Sequence, residues 1–165
     1  MSEVSGMIKR IFSILLALVL LTAPLSALGA LRMPQRRGTV TDDANVLSAQ
    51  TVADLNTFAQ KLEDKADVTL HIALVHFLDG AEVQSYAGTL FDLWELGRDD
   101  MLLLGAAGED SCAAVMGENV QKALGATNAE NLMFTSSEFG TLFRAQQYDA
   151  AFASYCTAFS ALVKK

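Results

Sequence analysis

Between Ser48 and Lys65 the apolar residues Val52, Leu55, Ala59 and Leu62 recur three or four positions apart, the spacing of one helical face, and Ser48 supplies an N-cap. From Val68 to Phe77 the period shortens to two. Val68, Leu70, Ile72 and Leu74 fall on one side, while Ala73 and Val75 make the other side nearly as apolar, which predicts a strand covered on both faces. Asp79-Gly80 breaks the run, and a helix is expected over roughly Ala81 to Leu96. Its stripe is Val83, Tyr86, Ala87, Leu90, Phe91 and Trp94, with Gly97 as the C-terminal glycine.

Met101 to Ala106 reads as a short buried strand, Gly108-Glu109-Asp110-Ser111 as a turn, and Cys112 to Met116 as the second arm of a hairpin. Thr127 to about Arg144 is a weaker helix. Thr135-Ser136-Ser137 and Gly140 interrupt it, so the pattern predicts two short pieces or one bent one. The last helix starts near Asp149, a carboxylate suited to the helix dipole, and carries Phe152, Tyr155, Cys156, Phe159, Leu162 and Val163 ahead of Lys164-Lys165. A strand, a crossover helix and a second strand imply a right-handed unit with helices on both faces. The fold class is therefore α/β, a three-layer α/β/α sandwich around a small mixed sheet, in a single domain over residues 38–165.

Ahead of that domain, Ile11 to Leu21 is uninterruptedly apolar apart from Ser13, follows Lys9-Arg10 and precedes Ala27-Leu28-Gly29-Ala30. A cationic start, an apolar run and small residues before a cleavage point are the parts of an export signal. Residues 1–29 are read as a signal peptide or membrane anchor, because Ile11 to Leu31 is also about long enough to cross a hydrocarbon layer of roughly 30 Å. Pro24 and Ser26 to Ala30 favour cleavage before Ala30. The expected location is outside the cytosol, secreted or in the cell envelope, with an uncleaved segment as the only route to the membrane.

Charge narrows the partners. The chain holds 12 basic and 19 acidic residues, but Lys9, Arg10, Arg32, Arg36 and Arg37 precede Gly38, as does only one acid, Glu3. That leaves 7 against 18 from Gly38 onward, a net of −11. Nucleic acid and anionic lipid are poor partners for such a surface. Arg32, Arg36 and Arg37 could hold the N-terminal tail near phospholipid head groups, but residues 30–37 need no function as a basic, solvated linker, and that plainer reading is preferred. Cys112 and Cys156 are the only cysteines; an oxidising compartment permits a bridge, yet both fall on apolar stripes where cysteine serves as a small buried hydrophobe.

Two acidic pairs are candidates for chemistry: Asp42-Asp43 before the first helix and Asp99-Asp100 before the strand at Met101. Adjacent loop carboxylates are the hard oxygen ligands that calcium or magnesium prefers, and a joint site is conceivable. The structural alternative is turn and cap duty. His71 and His76 are five apart, so an unbroken strand sends them to opposite faces and they form no common site. No serine sits in a nucleophile elbow, and neither a phosphate loop nor a dinucleotide fingerprint is present.

Several segments in order resemble a TPM domain: Val40-Thr41-Asp42-Asp43-Ala44-Asn45-Val46-Leu47-Ser48, then Tyr86-Ala87 through Phe91 and Trp94 to Leu96-Gly97-Arg98-Asp99-Asp100 and Met101-Leu102-Leu103-Leu104. Gly117-Glu118-Asn119-Val120 and Phe143 through Tyr148-Asp149-Ala150-Ala151 continue the likeness. The resemblance implies an exported or membrane-tethered domain, since the family includes thylakoid-lumen proteins linked to photosystem II repair and reported as acid phosphatases, an auxiliary protein of acetylcholine receptors, and many bacterial members. It also implies calcium or another divalent cation at loop aspartates, placing Asp42, Asp43, Asp99 and Asp100 as ligands. This sequence departs from the family where Asp100 runs directly into Met101 without the usual glycine, where Gly108 to Ser111 lacks an arginine, and where Asn119 replaces a second glycine. A missing nucleophile and an altered acidic loop lead to the expectation of a non-catalytic accessory module that binds another envelope protein. A metal-dependent acid phosphatase, a phosphomonoesterase, is the alternative.

Overall fold

In the computed structural model, residues 31–124, 131, 133 and 138–163 are described. The apolar run, the cleavage segment and most of the stretch between Thr127 and Ser137 lie outside them. Among the described residues the elements with defined bounds are, in order, β1 (Val40–Asp42), α1 (Ala49–Ala66), β2 (Thr69–Val75), α2 (Val83–Leu93), β3 (Asp100–Ala106), β4 (Ser111–Met116), α3 (Glu118–Leu124), α4 (Phe139–Arg144) and α5 (Tyr148–Val163). The sheet order is β1-β2-β3-β4. β1 and β3 both run parallel to β2, with Asp42 opposite Leu74 and Asp100 opposite Thr69, and β4 returns antiparallel to β3. The expected mixed sheet and three layers are present.

The doubly apolar strand has the consequence that period analysis gave it. Leu70, Ile72 and Leu74 face a first core with Met101 and Leu103, closed by Leu55, Ala59 and Leu62 of α1 and by Phe152, Tyr155 and Phe159 of α5. Ala73, Val75, Leu102 and Leu104 face a second core against Tyr86, Ala87 and Leu90 of α2, with Trp94 just beyond it. Covering two faces costs a regular connection. β1, β2 and β3 step in one lateral direction, yet α1 and α2 lie on opposite faces, so the two crossovers have opposite hands and only one follows the right-handed rule. The expectation that one hand serves helices on both faces is corrected accordingly.

Helix ends also differ from the pattern. α2 begins where the Glu82 side chain accepts from the Ser85 N–H at 2.8 Å, and it stops at Leu93 rather than near Gly97. Glu95 adopts the left-handed backbone, φ 54°, that glycine was expected to supply, while the Leu96 N–H reaches back to the Phe91 carbonyl at 3.1 Å. α3 is an element that the hydrophobic pattern alone did not announce. Among the described residues no helix is long and apolar enough to cross a membrane.

Cys112 and Cys156 are free, half-buried thiols. Burial pushes each of them up from 9.0 to about 12.

Two outcomes follow from these features. Replacing Glu95 with Gly relieves an αL residue of its Cβ penalty and should stabilise the protein by about 1 kcal/mol, read as a rise of roughly 3 °C in melting temperature. The thiols favour protonation in the folded state, so their share of stability is intact below pH 9 and falls as pH climbs from 9 towards 12. Urea midpoints measured from pH 8 to 10 should decline less steeply in the double variant Cys112→Ala/Cys156→Ala than in the wild type.

Candidate functional site

The four aspartates sit at opposite ends of the parallel strands. Asp42 and Asp43 leave β1 at its C-terminal end, whereas Asp99 and Asp100 enter β3 at its N-terminal end. Their registers differ by five residues of β2 and by two strand spacings, a Cα separation of about 19 Å. The structure does not bring the pairs together, and among the described residues no group of three or more His, Cys, Asp or Glu side chains could hold a metal ion.

Each pair is occupied locally. Asp42 Oδ2 accepts the Val46 and Leu47 N–H groups at 3.0 and 2.9 Å, folding residues 42–47 into the turn that delivers α1; Oδ1 is buried without a partner. Asp43 pairs with Arg37. Ser48 caps α1 by accepting from the Thr51 N–H, and its own N–H donates to Asp149 Oδ1 at 3.0 Å. That backbone bond holds the Asp149 carboxyl below the usual carboxylate range.

At the other end, Asp100 Oδ1 lies 2.9 Å from His71 Nε2, and Oδ2 accepts the Gly97 N–H. His71 is buried on the second core face, edge-on to Trp94 at 6.4 Å, and its Nδ1 has no partner. Asp99 Oδ1 accepts from Asn119 Nδ2 at 2.8 Å, the Asn119 N–H donates to the Arg98 carbonyl, and the Gly117 N–H donates to the Asp100 carbonyl. Arg98 and Lys122 both pair with Glu118. A Cβ on Gly117 would stand 2.3 Å from the Gly97 carbonyl oxygen, so only glycine lets the two loops touch here. Every one of these carboxylates takes N–H donors or a cationic side chain, which suits a brace and does not suit four shared ligands around one divalent ion.

The remaining surface chemistry lies at the C-terminal end of the strands. Connections from β1 and β2 leave over opposite faces there, the position at which open α/β sheets form a crevice. Its edge carries His76 and Phe77. The expected strand reached Phe77; β2 ends at Val75, and Phe77 projects outward with 60% of its surface exposed. Its loop is fixed from several sides: Leu78 N–H donates to Glu109 Oε1 at 2.8 Å, Gly108 N–H to the His76 carbonyl at 2.8 Å, and Leu78 itself is buried. A Cβ on Gly108 would lie 2.6 Å from the Phe77 ring. Asp79 follows Phe77 by two residues, and Glu109 and Asp110 follow Gly108, whose backbone lies against the ring. The only hint of this in the sequence was an apolar residue overrunning the strand into turn chemistry.

The basic segment ahead of β1 lies against the domain. The Trp94 indole N–H donates to the Pro34 carbonyl at 2.9 Å, the Tyr86 hydroxyl to the Arg32 carbonyl at 2.7 Å, and Met33 packs into the second core.

Removing the Asp100 carboxylate strands both the His71 ring and the Gly97 N–H. Asp100→Ala should cost about 2 kcal/mol in urea unfolding, and Asp100→Asn less because its amide oxygen still accepts from Gly97. An Asp100→Ala midpoint equal to the wild type would contradict the brace.

The TPM domain model matches residues 40–162 of the chain. Two solved structures are similar: the N-terminal domain of a protein from P. gingivalis, at 15% identity over 76% of this chain and 81% of that one, with a TM-score of 0.68; and the N-terminal domain of the cg2496 protein from Corynebacterium glutamicum, at 12% identity over 78% and 82%, with a TM-score of 0.60. No curated protein matches the chain.

Proposed function

The chain belongs to the TPM domain family, and we propose that the protein works outside the cytosol as a non-catalytic interaction module, recognising another cell-envelope protein through the C-terminal rim of its sheet. The observation that carries this reading is Phe77, a large aromatic side chain 60% exposed on a loop that is otherwise pinned. An exposed aromatic of this kind offers an anchor for a partner's pocket, and because its loop is already ordered, little conformational entropy is lost on binding. The acids of its own loop and of the adjoining hairpin turn, Asp79, Glu109 and Asp110, favour a partner that is basic at the rim of the contact. Export rests on Lys9-Arg10, the run Ile11 to Leu21 and the small residues Ala27 to Ala30.

A phosphomonoesterase is less well supported. It would need Asp42 and Asp99 or Asp100 around one ion that polarises the phosphoryl group, and the length of the sheet lies between them. A divalent ion has no part in the proposed role.

A photo-crosslinking residue at position 77 should capture one discrete protein in intact cells, whereas the same residue at exposed Leu93 on α2 should not. Phe77→Ala should weaken binding of that protein at least tenfold without moving the melting temperature by more than about 1 °C. Identical patterns from the two positions would overturn the assignment of the rim. Divalent-dependent hydrolysis of a phosphomonoester that Asp42→Asn abolishes would overturn the non-catalytic reading.

A further inference from the structure

Residues 31–37, expected as a solvated linker, form an ordered strap across the α2 side of the domain. Pro34 is buried, and two aromatic donors, from Tyr86 and Trp94, grip the strap's carbonyls. Arg32, Arg36 and Arg37 are nevertheless exposed. Arg37 is engaged by Asp43, but the guanidinium groups of Arg32 and Arg36 have no side-chain partner among the described residues. Between them, Met33, Arg36, Arg37 and Asp43 border an open depression of about 430 Å³.

We propose that this strap is a docking surface for the anionic headgroups of a phospholipid bilayer. Charge complementarity is the first support: three arginines occur within six residues, no acid occurs from Leu31 to Thr41, and the rest of the domain from Gly38 on carries a net of −11. A body of that sign is repelled by an anionic surface, so any approach must be made by the strap. Sequence position is the second. The apolar run Ile11 to Leu21 precedes the strap in the chain, and the strap's first residue, Leu31, is itself 37% exposed. Where that run is retained in a membrane, the chain tethers the strap to the same bilayer. Where it is removed before Ala30, the new α-amino group adds a further positive charge to the same surface. Rigidity is the third, since the arginines are held on a fixed face and their contact with lipid orients the whole domain. Each arginine near an anionic surface raises partitioning about fivefold, so Arg32 and Arg36 together are worth about 25-fold.

Trp94 is the chain's single tryptophan and lies directly beneath the strap, which makes it a native probe. The full-length chain would be reconstituted in nanodiscs of phosphatidylcholine alone, or with 30% phosphatidylglycerol, each doped with a headgroup nitroxide. Quenching of Trp94 should be at least twofold stronger in the anionic discs and should fall to the neutral level in 0.5 M salt. Arg32→Gln/Arg36→Gln should lose the difference, and Arg32→Lys/Arg36→Lys should keep it. Phe77→Ala should also keep it, which separates this surface from the protein-binding rim. Equal quenching in the two compositions, or an unchanged difference in the glutamine variant with its melting temperature intact, would overturn the proposal.

Discussion

Burial of both faces of β2 and β3 is the constraint from which the rest of the fold follows. Strands whose side chains are apolar on either side cannot leave one face to water, so a helical layer is required above and below. Here the two crossovers between the three adjacent parallel strands are placed one on each face, which gives them opposite hands, and α4 and α5 complete the first layer. The two layers then divide the work by size. One takes the aromatic cluster of Phe139, Phe143, Phe152, Tyr155 and Phe159, and Gly105 of β3 is bare there because a Cβ would lie 2.7 Å from Leu74 and 2.8 Å from the Phe143 ring. The other presents alanines at Ala73, Ala106 and Ala113, small enough for α2 to approach and for Tyr86 and Trp94 to close the gap.

A sheet closed in this way exposes its two ends, and the acidic segments are spent on tying down the loops there. At one end the turn of Asp42 to Ser48 is joined to the first turn of α5 through Asp149; at the other, residues 97–100 are joined to β2 through His71 and to α3 through Asn119 and Glu118. These are the same segments that resemble the family in sequence. Their order along the chain suggested one composite site, but they assemble as two separate braces. The carboxylates that looked like ligands act as acceptors for backbone and side-chain N–H groups, which explains why the glycine expected after Asp100 can be absent: the loop is shaped by bonds to Asp100 and by the close approach of Gly117.

What the sequence made legible was whatever depends on local period. The strand-helix alternation, the hairpin at Gly108 to Ser111, the burial of Trp94 and the part of the α5 stripe formed by Phe152, Tyr155 and Phe159 all follow from spacing, and each is present. What it hid depends on contacts between residues far apart in the chain. Nothing near Pro34 announces an indole 60 positions away, and nothing near Ser48 announces a carboxylate at Asp149. Register likewise cannot be read from period: a shift of β1 along β2 by an even number of residues would keep every side chain on its face and yet decide whether Asp42 lies at the same end of the sheet as Asp100 or at the far one. Phe77 was hidden for a related reason, because an apolar side chain after a strand is indistinguishable from one more buried position until the turn that follows is placed.

The distribution of charge links the two proposed surfaces. Outside the strap, basic groups are few and partly neutralised, as where Arg98 and Lys122 share Glu118, so the domain presents an acidic exterior with one cationic band. That band is joined to the rim that carries Phe77: the Arg32 N–H donates to Asp79 at 3.4 Å, two residues beyond the aromatic, and Tyr86 of the following helix holds the same residue's carbonyl. Opposite charges screened over about 10 Å do not interact strongly across a domain, so an orienting surface and a recognition surface can be coupled only by a rigid connection. The loop from Phe77 to Glu82, anchored at buried Leu78 and ending at the α2 cap, is such a connection. Under the proposed docking, contact at the strap would therefore set the direction in which the aromatic tip points, without any change in the fold between them.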